Sequence, residues 1–187
     1  MIASPQPHLT AEEYLAWETE QDTHHEYVNG AIIAMTGGSI AHNLLALNLY
    51  SALRPHLRHR GCVATVADVK VQVSSSIYYY PDLVVTCSDR DLQARQLIQD
   101  PCVIVEVLSP STAANDRGDK FKNYRNLDSL QEYVLIDSEK ISVERYRRGE
   151  GRMWLYHPYT AGETLILESL EFECAIDQIY EGVSLEP

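Results

Sequence analysis

The run Cys102-Val103-Ile104-Val105-Glu106-Val107-Leu108 holds a single carboxylate among apolar side chains, and Tyr80-Pro81-Asp82-Leu83-Val84-Val85 holds a second. Burying an ionised carboxylate among branched aliphatics costs several kcal/mol unless a metal, a cation or a hydrogen-bond network offsets it. Glu106 is therefore a poor choice for folding alone and a good one for function. Two such carboxylates on neighbouring strands would make an all-oxygen site of the kind that holds Mg²⁺ or Mn²⁺. The backbone carbonyl of Val107 is a natural third ligand, with waters completing the shell. Such a site suits phosphodiester hydrolysis, in which the ion activates a water and neutralises charge growing on phosphate.

A nearby ammonium would complete the set. Lys120 is the first candidate, because its helix begins shortly after the Glu106 strand ends and can pack back over the strand's tip. Lys70, on the polar face of Val69-Lys70-Val71-Gln72-Val73, is the second. Glu26 could add a further carboxylate, although an exposed edge-strand glutamate is the plainer reading of its position. His42 could touch a phosphate or be a simple helix-surface histidine, and Tyr78-Tyr79-Tyr80 could stack on bases or merely favour a strand.

The elements that must position these groups are legible from local signals. Thr10-Ala11-Glu12-Glu13 is a capping box that starts a helix over about residues 11 to 20. Asn29-Gly30 predicts a tight hairpin, and Ser39 caps a second helix that ends by Gly61, with Pro55 as an early stop. The period then changes from helical to alternating. The strands of Asp82 and Glu106, separated by a polar loop over 87–100, are nearly continuous in apolar residues, which places both centrally in a sheet. A polar helix over about 115 to 127 puts Asp116, Lys120 and Tyr124 on one face. Five strands follow (132–136, 141–147, 152–156, 164–167 and 171–176), extending and covering the central sheet.

The 187 residues, 45% of them hydrophobic, predict a single domain over 1–187. No stretch is apolar over the ~18 residues of a membrane span, and the N-terminus lacks a secretory pattern, so the expectation is a cytoplasmic protein. Four cysteines without C-x-x-C spacing argue against zinc, and three of them fall in apolar runs, where a reduced, buried thiol is the usual reading. A net charge of −12 is unfavourable for binding a polyanion. Basic residues are nonetheless concentrated at Arg54–Arg60, Lys120–Arg125 and Arg145–Arg148, although a solvated helix end or hairpin is the plainer reading of the first and third.

Pro81-Asp82 followed by Glu106-Val107-Leu108 resembles the PD-(D/E)XK nuclease signature. The longer run Glu106-Val107-Leu108-Ser109-Pro110-Ser111-Thr112, with Asp116, Lys120, Tyr124 and Glu132-Tyr133, resembles the Uma-two-type family of putative restriction endonucleases. His25-Glu26-Tyr27-Val28-Asn29-Gly30 and Ala41-His42-Asn43 belong to the same likeness, which covers most of the chain. The resemblance implies an α/β restriction endonuclease-like core: a mixed central sheet flanked by helices, extended here by a C-terminal antiparallel sheet. It implies a DNA endonuclease with Mg²⁺ or Mn²⁺ held by Asp82 and Glu106. Leu108 stands where the signature has lysine, and the likeness favours Lys120 as its relocated equivalent. Cutting both strands of a duplex calls for two sites, hence a homodimer, with Trp154, Tyr156, Tyr159 and Phe172 offering apolar surface. The alternative is a non-catalytic nucleic-acid-binding or regulatory module on the same fold. A glycosidase using paired carboxylates lacks the sugar platform and spacing.

Overall fold

The computed structural model describes residues 8–35 and 37–185. Helix α1 (Ala11–Glu18) opens on the expected capping box, with Thr10 and Glu13 satisfying each other's backbone donors. Strands β1 (His25–Val28) and β2 (Ala31–Ala34) form the hairpin, turning through Asn29 and Gly30 at φ 50° and 95°. Helix α2 (Ile40–Leu57) is capped by Ser39 and passes through Pro55 instead of stopping there. Proline in the final turn removes one backbone bond, and burial of Leu53 and Leu57 holds the turn in place.

Strands β3 (Val63–Val66), β4 (Lys70–Ser74), β5 (Ile77–Tyr79) and β6 (Leu83–Thr86) follow. The supposed loop at 87–100 contains a short helix, α3 (Asp89–Gln93), and a two-residue strand, β7 (Leu97–Ile98), before β8 (Pro101–Leu108). The predicted polar helix is in three parts: α4 (Ala113–Asn115), a π-helical turn at Asp116–Lys120, and α5 (Phe121–Tyr124). Strands β9 (Glu132–Asp137), β10 (Val143–Arg148) and β11 (Trp154–Tyr159) come next. They are followed by β12 (Thr164–Leu167), β13 (Phe172–Ala175) and a last helix, α6 (Ile176–Ile179).

Two main sheets result. One is six-stranded and mixed, in the order β11-β10-β9-β8-β6-β3, with β8 and β9 parallel and the 113–124 segment crossing between them. The other is five-stranded, in the order β2-β1-β5-β4-β7. Of the C-terminal strands, three extend the larger sheet, while β12 and β13 form a separate antiparallel pair. The larger sheet separates two cores. Its Val103, Val105 and Val107 face Leu45, Leu49, Leu53 and Leu57 of α2. Its Ile104 and Leu108 face Tyr79 of the smaller sheet and Tyr124 of α5. Strand alternation therefore puts Glu106 on this second, tyrosine-rich side.

Two expectations are corrected. Cys62 and Cys87 are joined by a disulfide, since β3 and β6 pair in a register that continues to bring them together, while Cys102 and Cys174 are free. Tyr159 and Phe172, expected at a dimer surface, are 5% and 6% exposed because they belong to the α2 core. Among the described residues, no helix is long and apolar enough to cross a membrane.

Candidate active site

Asp82 does not lie inside a strand. It sits on the bend where the chain leaves β5 of the smaller sheet and enters β6 of the larger one. The antiparallel register Leu83↔Val105 and Val84↔Ile104, continued by one residue, sets Asp82 opposite Glu106 on the same face. The backbone N–H of Val107 donates to Asp82 Oδ2 at 2.6 Å, fixing the carboxylate against β8. Glu26 arrives from β1, an interior strand of the smaller sheet, so it is 6% exposed and not the solvated edge residue that spacing alone suggested.

Lys120 comes from the π turn that crosses over this face. Its Nζ lies 2.8 Å from Glu26 Oε1, 3.2 Å from Glu106 Oε1 and 3.5 Å from Asp116 Oδ1, and 5.4 Å from the centre of the Tyr79 ring. Tyr124 donates to Glu106 Oε1 at 3.1 Å, and Tyr133 fixes the turn by donating to the Asp116 carbonyl at 2.9 Å. Leu108, where the family signature has lysine, is packed into the tyrosine-side core. The ammonium therefore reaches the carboxylates from the covering helix and not from the Glu106 strand.

Charge is unbalanced here. Glu26, Glu106 and Asp116 face one ammonium, while Asp82 beside them pairs with His42. Burial raises the Glu26 and Asp116 carboxyls, with Lys120 opposing the rise. Glu106 is pushed up furthest, by burial first and then by the charges of Asp82, Asp116 and Glu26 against the pull of Lys120. Burial opposes the charge on Lys120, but the three carboxylates outweigh it and hold its pKa well above the usual lysine value. The ammonium is thus charged, and the carboxylates share the excess cost. Glu26 and Asp116 lean on that same ammonium, which lies 2.8 Å from Glu26 Oε1 and 3.5 Å from Asp116 Oδ1.

That donor set fits a hard divalent cation: oxygen-only and surplus in negative charge. Among the described residues, no three His, Cys, Asp or Glu side chains are drawn together closely enough to hold a metal by themselves.

His42 is the residue whose part in the site the sequence understated. Ser39 caps α2 by accepting from the His42 N–H, and this first turn hangs the imidazole over the bend, Nε2 lying 2.8 Å from Asp82 Oδ1. Burial would lower its pKa, but the hydrogen bond and charge of Asp82 outweigh burial and raise it. The Gly-Gly-Ser stop before the helix was the available signal. Asp116 was visible as a helix-face neighbour of Lys120 but not as part of the site. These groups open into a cleft of about 1000 Å³, walled on one side by Ser109, Ser111, Thr112 and Asn115.

Other candidates fall elsewhere. Lys70 Nζ donates to the Tyr80 hydroxyl at 2.9 Å and does not line the cleft. Tyr78, Tyr79 and Tyr80 are at most 3% exposed, so none is free to stack on a base. The 145–148 cluster is structural: Arg145 pairs with Glu132 and Glu168, and the Arg148 guanidinium donates to the carbonyls of Leu130, Leu127 and Arg125.

Two sheets set around a carboxylate–lysine cleft define a restriction endonuclease-like α/β fold. A crystal structure from Anabaena variabilis, described as a putative nuclease belonging to DUF820, has the same fold. It matches 92% of this chain and 97% of its own at a TM-score of 0.75 and 16% identity. Residues 11–177 match the Uma2 family, described as putative restriction endonuclease, and the chain belongs to that family. Two Synechocystis proteins are similar along their length. One, slr1290, is 40% identical over 97% of this chain and 96% of its own. The other, sll1609, is 35% identical over 83% and 89%.

Proposed function

We propose that this chain is a single-domain, Mg²⁺- or Mn²⁺-dependent endodeoxyribonuclease that acts as a cytoplasmic homodimer on DNA. Asp82, Glu106 and the carbonyl of Val107 would hold the ion. The observation that carries the reading is the meeting of Asp82, from a bend between two sheets, with Glu106 and Lys120 in the lining of one cleft. An ion bound there would lower the pKa of a water and neutralise charge building on the scissile phosphate. Lys120 supplies the cation that the signature lysine would have given, orienting the attacking water and steadying the phosphate. Its contacts with Glu26 and Asp116 hold the ammonium in place, and Tyr124 holds Glu106. His42 orients Asp82 through Nε2. The hydroxyl-bearing wall of the cleft can hydrogen-bond phosphate oxygens without adding charge.

Supercoiled plasmid incubated with Mn²⁺ or Mg²⁺ tests the proposal. Nicking or linearisation that EDTA stops and that Asp82→Asn and Glu106→Gln lose is the expected result. DNA binding without cleavage under any divalent ion would instead select the non-catalytic module.

A further inference from the structure

At the end of the β3–β6 ladder away from Asp82, three sulfurs meet. Cys62 and Cys87 form the disulfide, and the free Sγ of Cys102, on the neighbouring β8, lies 3.8 Å from Cys87 Sγ, also donating to the Val85 carbonyl at 3.3 Å. Cys87 is exposed, while Cys62 and Cys102 are half-buried. An accessible disulfide sulfur with a third thiol in contact is the arrangement that thiol–disulfide exchange requires. We propose that Cys62, Cys87 and Cys102 form a thiol–disulfide exchange site for small thiols, with Cys87 as the shared sulfur and Cys102 as the resolving thiol.

The exchange balances without an external oxidant. A small thiolate attacks Cys87 Sγ, the Cys62–Cys87 bond breaks, and Cys62 leaves as a thiolate that takes up a proton. Cys102 gives up its proton and attacks Cys87 Sγ in turn, forming the Cys87–Cys102 bond. The small thiolate is expelled and takes up a proton. The bridge has then moved from β3–β6 to β6–β8, and no sulfur has been oxidised or reduced overall. Burial pushes the Cys102 thiol up to about 11, which keeps its thiolate scarce and the exchange slow at neutral pH. The move releases the covalent tie on edge strand β3, whose far end reaches Ala67, the donor to the Asp82 carbonyl at 3.1 Å. The reducing cytoplasm proposed above supplies the small thiols that this exchange uses.

Trypsin cuts after Arg60, Lys70, Arg90, Arg95 and Arg117, so Cys62, Cys87 and Cys102 fall on separate peptides, 61–70, 71–90 and 96–117. Full-length protein is equilibrated in a glutathione redox buffer, alkylated, digested and read by mass spectrometry. The expected result is two bridged species, 61–70 with 71–90 and 71–90 with 96–117, the second vanishing in Cys102→Ser. Cys62→Ser, verified as folded by circular dichroism, should form the Cys87–Cys102 bridge in the same buffer. If Cys87 and Cys102 of that variant remain fully alkylated, and wild type yields only the first species, the exchange site is refuted. Neither result depends on nuclease activity.

Discussion

Lys120→Met keeps the aliphatic stem and removes the one ammonium shared by Glu26, Glu106 and Asp116. At 2.8, 3.2 and 3.5 Å each contact has a Coulomb energy on the order of 5 kcal/mol at an effective dielectric of about 20, most of it offset by desolvation. Removing one partner of a buried pair nevertheless costs roughly 3–5 kcal/mol, because the remaining charges are left uncompensated. Against a total stability of ~5–15 kcal/mol this is a large loss. With a urea m-value of ~2 kcal/mol/M it moves the unfolding midpoint down by about 1.5–2.5 M. The loss has a pH signature. Without the ammonium the folded-state carboxyl pKa values rise further above their unfolded values. The penalty is therefore absent below the unfolded carboxyl range, near pH 4, and grows as pH rises through it. Adding Glu106→Gln to Lys120→Met should recover ~1–3 kcal/mol, since the two sites are in contact. Urea melts of the metal-free variants at pH 5 and pH 8 measure all of this. A deficit under about 1 kcal/mol at pH 8, or one that does not change with pH, would show that Lys120 does not hold the carboxylate cluster together. The same variant should lose plasmid cleavage while still binding Mn²⁺, whereas Lys70→Met should cleave normally.

In the wild type the raised carboxyls of Glu26, Glu106 and Asp116 make the metal-free protein lose stability as pH rises from their unfolded values toward their higher folded ones. Mg²⁺ or Mn²⁺ should restore it, by ~2.7 kcal/mol at a hundred times Kd, and more at pH 8 than at pH 5; thermal melts that are insensitive to both ions would count against the metal site. Asp82→Asn should reduce cleavage by more than about a hundredfold, beyond the 10–100-fold of outer-shell substitutions, with an unchanged circular dichroism spectrum. Arg148→Ala removes the donor to three backbone carbonyls and should cost roughly 2–4 kcal/mol in urea melts without weakening DNA binding; a selective loss of DNA affinity would return that cluster to the substrate surface. Light scattering at micromolar concentration should give the mass of a dimer, and a strictly monomeric mass would remove the proposed two-site arrangement.

Local chemistry determined a good deal of this protein. The Thr10–Glu13 box, the Asn29-Gly30 turn and the Ser39 cap act within a few residues, and the structure realises all three. A carboxylate surrounded by aliphatics is also a local oddity, so Glu106 stood out from its neighbours alone. What the sequence could not state is which strands become neighbours. Asp82 matters because it stands on a bend between two sheets, a position that depends on pairings with β1 and β8 far away in the chain. Glu26 is buried only because β5 pairs on its far side, and His42 reaches Asp82 only because α2 crosses the face of the larger sheet. The Cys62–Cys87 bridge likewise follows from β3–β6 register and not from cysteine spacing. Propensity and capping are energies of adjacent residues and can be read in order; the site is an energy of long-range contacts, where burial, charge and register are decided together by the folded sheets.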